Sequence, residues 1–222
     1  MNLCLFDLDH TLLPLDSDHQ WGEFMVRIGW ADEAEFRRRN DEFYRQYQEG
    51  VLDLDAYIDF STGVWRHRPP DELDAARRRF MDEVIAPALH PQALELVRQH
   101  QQQGDLVAVV TATNEFVTAP IVEAFGVPHL LAVKLHRGPG GIVTGRIDGV
   151  PTFREGKVTR VEQWLGEQGL SLPDFTRVSF YSDSLNDLPL LERATDPVAT
   201  NPSPPLEALA RSRSWRILKL FA

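Results

Sequence analysis

The chain has 222 residues, enough for one large domain or for a domain with a substantial insertion. Apolar residues at 43% and charged residues at 25% exclude disorder, collagen-like repetition and coiled-coil composition. A formal net charge of −10 repels a phosphate backbone, so no nucleic-acid partner is expected and an anionic substrate needs a local concentration of positive charge.

Leu3 to Leu8 is a short apolar run that reads as a buried strand, with Asp7 and Asp9 at its carboxyl end and Pro14 beyond. Cys4 is the single cysteine; it cannot form an internal disulfide and reads as a buried, inert thiol that suits a reducing cytoplasm. The two aspartates break the apolar region that a signal peptide needs. No run reaches the roughly 18 apolar residues of a membrane span, so a cytoplasmic protein without a membrane partner is expected.

Residues 16 to 85 read as three or four amphipathic helices without a strand. Trp21, Phe24, Met25 and Ile28 share one helical face, as do Phe36, Phe43, Tyr44 and Tyr47, and then Leu73, Ala76, Phe80 and Val84. From Pro91 onward helical patterns alternate with strands: Pro91 to Gln103, then Leu106 to Val110, later Val158 to Leu165, then Val178 to Tyr181. Leu130 to Leu135, Pro197 to Thr200 and Trp215 to Leu218 are weaker strands, Gly138 to Gly141 is a turn cluster, and Ile142 to Ile147 around Gly145 suggests a small hairpin. The alternation predicts an α/β fold, a doubly wound and mostly parallel sheet over 1–15 and 86–222, with an inserted helical cap over 16–85. Ligands of such sheets bind outside the carboxyl ends of the strands.

Asp7 and Asp9 lie two apart just past a strand, so in extended backbone their carboxylates point to one side and repel unless a cation or a proton separates them. Such hard oxygen ligands suit Mg²⁺; the alternative is a solvated acidic loop. Asp183 and Asp187 follow another strand, where a helix N-cap with an acidic first turn is the alternative. Thr111 and Thr113 offer donors to a phosphate, and Lys157 after Gly156 offers a counter-charge, although ordinary turn threonines and a surface lysine would look the same. All these signals fall at strand exits or helix starts on one rim of one sheet.

In this order they resemble the haloacid dehalogenase-like superfamily of phosphohydrolases: Asp-x-Asp-x-Thr at the first strand, a hydroxyl residue after the second, then a lysine, then Asp-x-x-x-Asp. The resemblance covers essentially the whole chain, and the helical insertion is similar to that of the phosphoserine-phosphatase-like branch. Ser182 to Leu191, Asp16 to Trp21 and Thr111 to Asn114 resemble the subgroup with the histidinol-phosphate phosphatases, whereas the Ser-Gly-Gly and Gly-Asp-Gly of phosphoserine phosphatases are not found.

The resemblance implies a Mg²⁺-dependent phosphomonoesterase in which Asp7 attacks phosphorus and carries an aspartyl-phosphate, and Asp9 is the acid and then the base. It implies Mg²⁺ held by Asp7, the Asp9 carbonyl and Asp183, with Asp187 beside the metal water or the lysine. Thr111 and Lys157 would hold the phosphoryl oxygens, and Asn186 would orient water or substrate. The expected partner is a small phosphorylated metabolite, histidinol phosphate, whose cationic groups suit Asp16, Asp18, Trp21 and Glu23, with Thr113 beside them. His19 is a further candidate of the substrate loop, and His10 is expected to be structural. An N-cap and first turn is the plainer account of the acidic group. Phosphoserine phosphatase is the rival enzyme, and a catalytically silent domain that binds phosphometabolites or a protein is the rival of another class; oligomeric state stays open.

Overall fold

The computed structural model describes residues 1–221. Its centre is a six-stranded parallel sheet in the order β3-β2-β1-β6-β7-β8. The strands are β1 (Asn2–Phe6), β2 (Leu106–Asn114), β3 (His129–Val133), β6 (Arg177–Ser182), β7 (Asp196–Thr200) and β8 (Arg216–Leu218). Two further strands, β4 (Leu135–Arg137) and β5 (Val143–Ile147), pair antiparallel as a separate hairpin. The chain winds outward from β1 first through β2 and β3, then back to β6, so β1 stands at the topological switch point.

β1 is apolar on both faces because both are covered. Cys4 and Phe6 face one core with Val107 and Val109, while Leu3 and Leu5 face the other with Ala108 and Val110. The second face is closed by α7 (Glu155–Gly166), α8 (Leu188–Leu191) and α9 (Pro204–Ser212), through Val161, Leu165, Leu190, Leu191 and Leu206. The first face is closed by α5 (Pro91–Gln102) and α6 (Glu115–Ala124), through Ala93, Val97, Val117 and Ile121.

Between β1 and β2 lie α1 (Ser17–Arg27), α2 (Glu33–Gln48), α3 (Leu54–Gly63) and α4 (Pro70–Phe80), the last running on into a π-helical turn at Met81–Ile85. Asp16, Asp32 and Asp53 cap the first three, each side chain accepting the amide three residues on, from His19, Glu35 and Ala56 at 2.8, 3.0 and 3.1 Å. The apolar stripe read at Trp21, Phe24 and Met25 packs into the same core as the sheet face. Gly22 lets α1 and α2 meet: a Cβ there would lie 2.6 Å from Asn40 Nδ2.

Two local expectations change. The hairpin turns at residues 138–142, where Gly138 N–H donates to the Ile142 carbonyl at 2.9 Å, so Gly145 lies inside β5 and not at the turn. Its φ of +81° and the close approach of Arg66 explain that glycine, and Arg66 donates to Asp59 of α3 at 2.5 Å. β2 also runs four residues beyond Val110, because Thr111 to Asn114 stay extended at the rim. Among the described residues, no helix is long and apolar enough to cross a membrane.

Candidate active site

Phe6 pairs with Val109 of β2 and Tyr181 of β6, and the amide of Asp7 donates to the Tyr181 carbonyl at 2.9 Å. Asp7 therefore leaves the sheet between its two central neighbours. Lys157 reaches it from the first turn of α7. That turn can approach because Gly156 has no side chain; a Cβ there would stand 2.0 Å from the Pro151 carbonyl. Lys157 Nζ donates to Asp7 Oδ1 and to Asp187 Oδ2, each at 2.7 Å, and the Ser182 hydroxyl donates to that Asp187 oxygen at 2.8 Å. All three charged groups are buried. Burial alone would lower the lysine pKa, but the Asp187 and Asp7 carboxylates outweigh it and hold the ammonium above its usual range.

Asp183 follows β6 beside this group. Thr11 Oγ1 lies 3.3 Å from Asp7 Oδ2 and 3.4 Å from Asp183 Oδ1, which brings the two carboxylates to one hydroxyl. Burial pushes Asp183 well up, and Asp7 and Asp187 push it further. Asp7 is raised to about 7, mainly by burial, with Lys157 opposing and Asp187 and Asp9 adding. Two such carboxylates fit a hard divalent cation, which needs only one or two of them. Among the described residues no three His, Cys, Asp or Glu side chains converge as a closed metal cage. Asp187 does not join the pair at Thr11; its Oδ2 holds Lys157 and Ser182 instead.

Asp9 points the other way. Its Oδ1 accepts the Ser17 amide at 2.8 Å and its Oδ2 accepts the Thr113 hydroxyl at 2.9 Å. Burial, then the nearby Asp16, raise it to about 6 against those two hydrogen bonds. Thr111 is buried at the same rim, where its Oγ1 accepts the Thr113 amide at 3.1 Å and its carbonyl accepts the Thr152 hydroxyl at 2.6 Å.

These residues open on a cavity of about 40 Å³, which runs from Asp7, Asp9 and Thr111 to Asp16, Asp18 and Tyr57. That is room for roughly three waters. None of the described residues lining it is Lys or Arg. Asp16 gives Oδ1 to its capping bond with the His19 amide, and Asp18 accepts from Asn114 Nδ2 at 3.3 Å; the capping account and the pocket account thus hold together. Burial pushes Asp18 up to about 8, helped by Asp16 and opposed by hydrogen bonding from Tyr57 and Asn114. Past Tyr44 and Tyr47, which line both spaces, lies an open cleft of about 380 Å³ bordered by His10, Asp183 and Asn186. His10 Nε2 lies 3.0 Å from the Tyr44 hydroxyl, and Asn186 Nδ2 donates to the Tyr47 carbonyl at 2.8 Å. Asn186 thus holds the end of α2 and faces the cleft.

Two residues expected at the substrate lie elsewhere. Trp21 is 1% exposed and packs against Phe80 and Phe116, with ring centroids 5.1 and 5.8 Å apart, so it belongs to the core. Glu23 is five residues from Asp18, about 140° around the helix. Its Oε2 accepts from Arg37 Nε at 2.8 Å on the outer side of α1 and α2. Conversely, Tyr44 and Tyr47 were legible only as part of an apolar stripe, and Tyr57 carried no signal at all.

A family model for haloacid dehalogenase-like hydrolases matches residues 4–192. The chain belongs to this family. It is 42% identical over 217 residues to a histidinol-phosphatase of Neisseria meningitidis serogroup C, covering 98% of both chains. It is 30% identical over 215 residues to a phosphoserine phosphatase of Mycobacterium tuberculosis, covering 96% of this chain and 68% of that one. A crystal structure from Bordetella pertussis Tohama I, described as a protein with unknown function, matches with a TM-score of 0.93 and 53% identity over 99% of each chain. A substrate-bound phosphoserine phosphatase matches with a TM-score of 0.67 at 19% identity, over 97% of this chain and 91% of the other, a likeness of fold.

Proposed function

We propose that the chain is a Mg²⁺-dependent phosphomonoesterase that hydrolyses histidinol phosphate through an aspartyl-phosphate on Asp7. The observation that carries the reading is Lys157, a buried ammonium held between Asp7 and Asp187 at the centre of the strand exits. Full-length similarity to a histidinol-phosphatase supports the substrate. The cavity lining supports it too, because carboxylates without an arginine suit an amine and an imidazole better than the carboxylate of phosphoserine.

In this reading Asp7 attacks phosphorus with Oδ2, since Oδ1 is held by Lys157. A lysine has three donors; Asp7 and Asp187 take two, and the third is left for an equatorial phosphoryl oxygen. Thr111 donates to the same group. Asp9, raised to about 6, gives its proton to the leaving alcohol and then removes one from the water that cleaves the acyl phosphate. Mg²⁺ would be held by Asp7, Asp183 and the Asp9 carbonyl, where its charge would offset the repulsion between carboxylates and phosphate. Asp187 and Ser182 keep the lysine in place. Asp16, beside Asp9, takes the substrate amine.

Residues 16–85 serve as the cap. A cavity of about 40 Å³ admits a phosphoryl group and little more, so α2 and α3 must draw apart for the substrate to enter. A phosphate-release screen over small phosphomonoesters, with and without Mg²⁺, tests the function. Histidinol phosphate should lead the panel by at least about tenfold over phosphoserine in kcat/KM, roughly 1.4 kcal/mol in transition-state binding. Equal efficiencies would keep the phosphatase and discard this substrate.

A further inference from the structure

Asp16 and the phosphoryl site take the amine and the phosphate of the proposed substrate, and its imidazole still needs a partner. Two further carboxylates, Asp16 and Asp18, line the cavity with Asp7 and Asp9. Asp16 adjoins Ser17, whose amide donates to Asp9 at 2.8 Å, and the Asp18 carboxyl is reached through Asn114, the residue after the Thr113 that holds Asp9. The substrate runs from its ester oxygen through a methylene, the amine-bearing carbon and a second methylene to the ring.

The surroundings of Asp18 suit a planar ring with polar nitrogens. Phe43, Tyr44, Leu52 and Leu54 give the cavity flat and apolar walls, and the His19 and Tyr44 rings already lie 5.0 Å apart beside it. Asp18 itself is 6% exposed and lines the cavity, and its carboxyl is held by Asn114 Nδ2 at 3.3 Å and by hydrogen bonding from Tyr57. Tyr57 from α3 stands against it. Asn114 follows Thr113, which holds Asp9, so the acid and Asp18 are joined through adjacent residues at the end of β2.

Resting on the histidinol-phosphate reading, we propose that Asp18 and Tyr57 form the ring subsite that distinguishes an imidazole from an isosteric apolar ring, while Asp16 takes the amine. A carboxyl raised to about 8 by burial is suited to this task. At neutral pH it can give its proton to a ring nitrogen or accept a hydrogen bond from ring N–H, so one proton serves both partners. A phenyl ring fills the same walls but offers the carboxyl proton no acceptor, and a site built to hydrogen-bond rejects such an analogue.

The test compares histidinol phosphate with 2-amino-3-phenylpropyl phosphate, which keeps the amine and the phosphate. The native enzyme should favour the imidazole by at least about tenfold in kcat/KM, and Asp18→Asn and Tyr57→Phe should each reduce that ratio to about threefold or less. Tyr57→Phe keeps the test valid should Asp18→Asn fail to fold. Calorimetric binding of the two alcohols, L-histidinol and L-phenylalaninol, gives a readout without turnover, with the same preference and the same loss. Turnover of histidinol phosphate without any ring preference, or a preference that survives in both variants, would overturn the ring subsite and leave the substrate reading intact. If histidinol phosphate is not turned over, that reading fails by itself. The alcohol pair then decides: preferential L-histidinol binding that depends on Asp18 supports the subsite, and equal binding overturns it.

Discussion

Carboxylates line both ends of the cavity, yet they are balanced in opposite ways. At the phosphoryl end Asp7 and Asp187 share a lysine of the chain's own. At the leaving-group end Asp16 and Asp18 have no Lys or Arg among the described lining residues. A buried charge needs a partner or gives up its charge. One end therefore comes with its counter-ion built in, and the other must take a proton or borrow a cation from the ligand. This difference suits a substrate that is anionic at one extremity and cationic at the other.

The largest effects should come from disturbing the phosphoryl end. Asp7→Asn is nearly isosteric, and steady-state phosphate release should fall by at least about a thousandfold while the circular dichroism spectrum is unchanged. Residual activity near the native level would remove the nucleophile role. Exhaustive chelation, checked by metal analysis, should stop turnover and added Mg²⁺ should restore it, since Asp7 and Asp183 then face each other without a cation. Lys157→Met should cost about 3–5 kcal/mol in urea unfolding, because it leaves two buried carboxylates unpaired.

The leaving-group end should respond differently. Asp18 binds its proton up to about pH 8 in the native state and only to its ordinary range when unfolded. The native form therefore holds more protons between those values, and stability falls as pH rises through them. Asp18→Asn removes this slope. It should stabilise the apo-protein by roughly 1–3 kcal/mol more at pH 9 than at pH 6 in urea unfolding; an equal effect at both pH values would show that Asp18 is not a proton holder. The smallest effect belongs to Glu23→Gln. With its carboxylate on Arg37 outside the cavity, kcat/KM should change by less than about twofold.

Much of this was legible in the sequence because strand order and motif order coincide. Six strands, the helices between them and the rim that gathers Asp7, Asp9, Thr111, Lys157 and Asp183 follow from apolar runs that end in polar residues. Trp21 and Glu23 were misplaced because nearness in the chain to Asp18 says nothing of direction around a helix, and the apolar spacing of Trp21 already marked it as core. The aromatic wall was hidden for the opposite reason. Tyr44 and Tyr47 have the periodicity of a packing face, and only the tertiary arrangement turns that face toward a cavity. Asp187 carries the same residue type as Asp183, and its hold on Lys157 depends on how the turn after β6 meets α7.

The sheet order also governs how the molecule can be born. β1, which leads into Asp7, is made first, yet its hydrogen-bonding neighbours are β2 at 106–114 and β6 at 177–182. Asn201 adds a later bond, donating from Nδ2 to the carbonyls of His10 and Thr11 at 3.0 and 3.2 Å. At a synthesis rate of about 5–20 residues per second, the loop of Asp7 to Thr11 waits roughly 10–40 s before the residues that fix it exist. Through that interval the emerging chain holds one half of its chemistry and none of its activity, and the strand that will become the middle of the sheet is the one most in need of protection from pairing elsewhere.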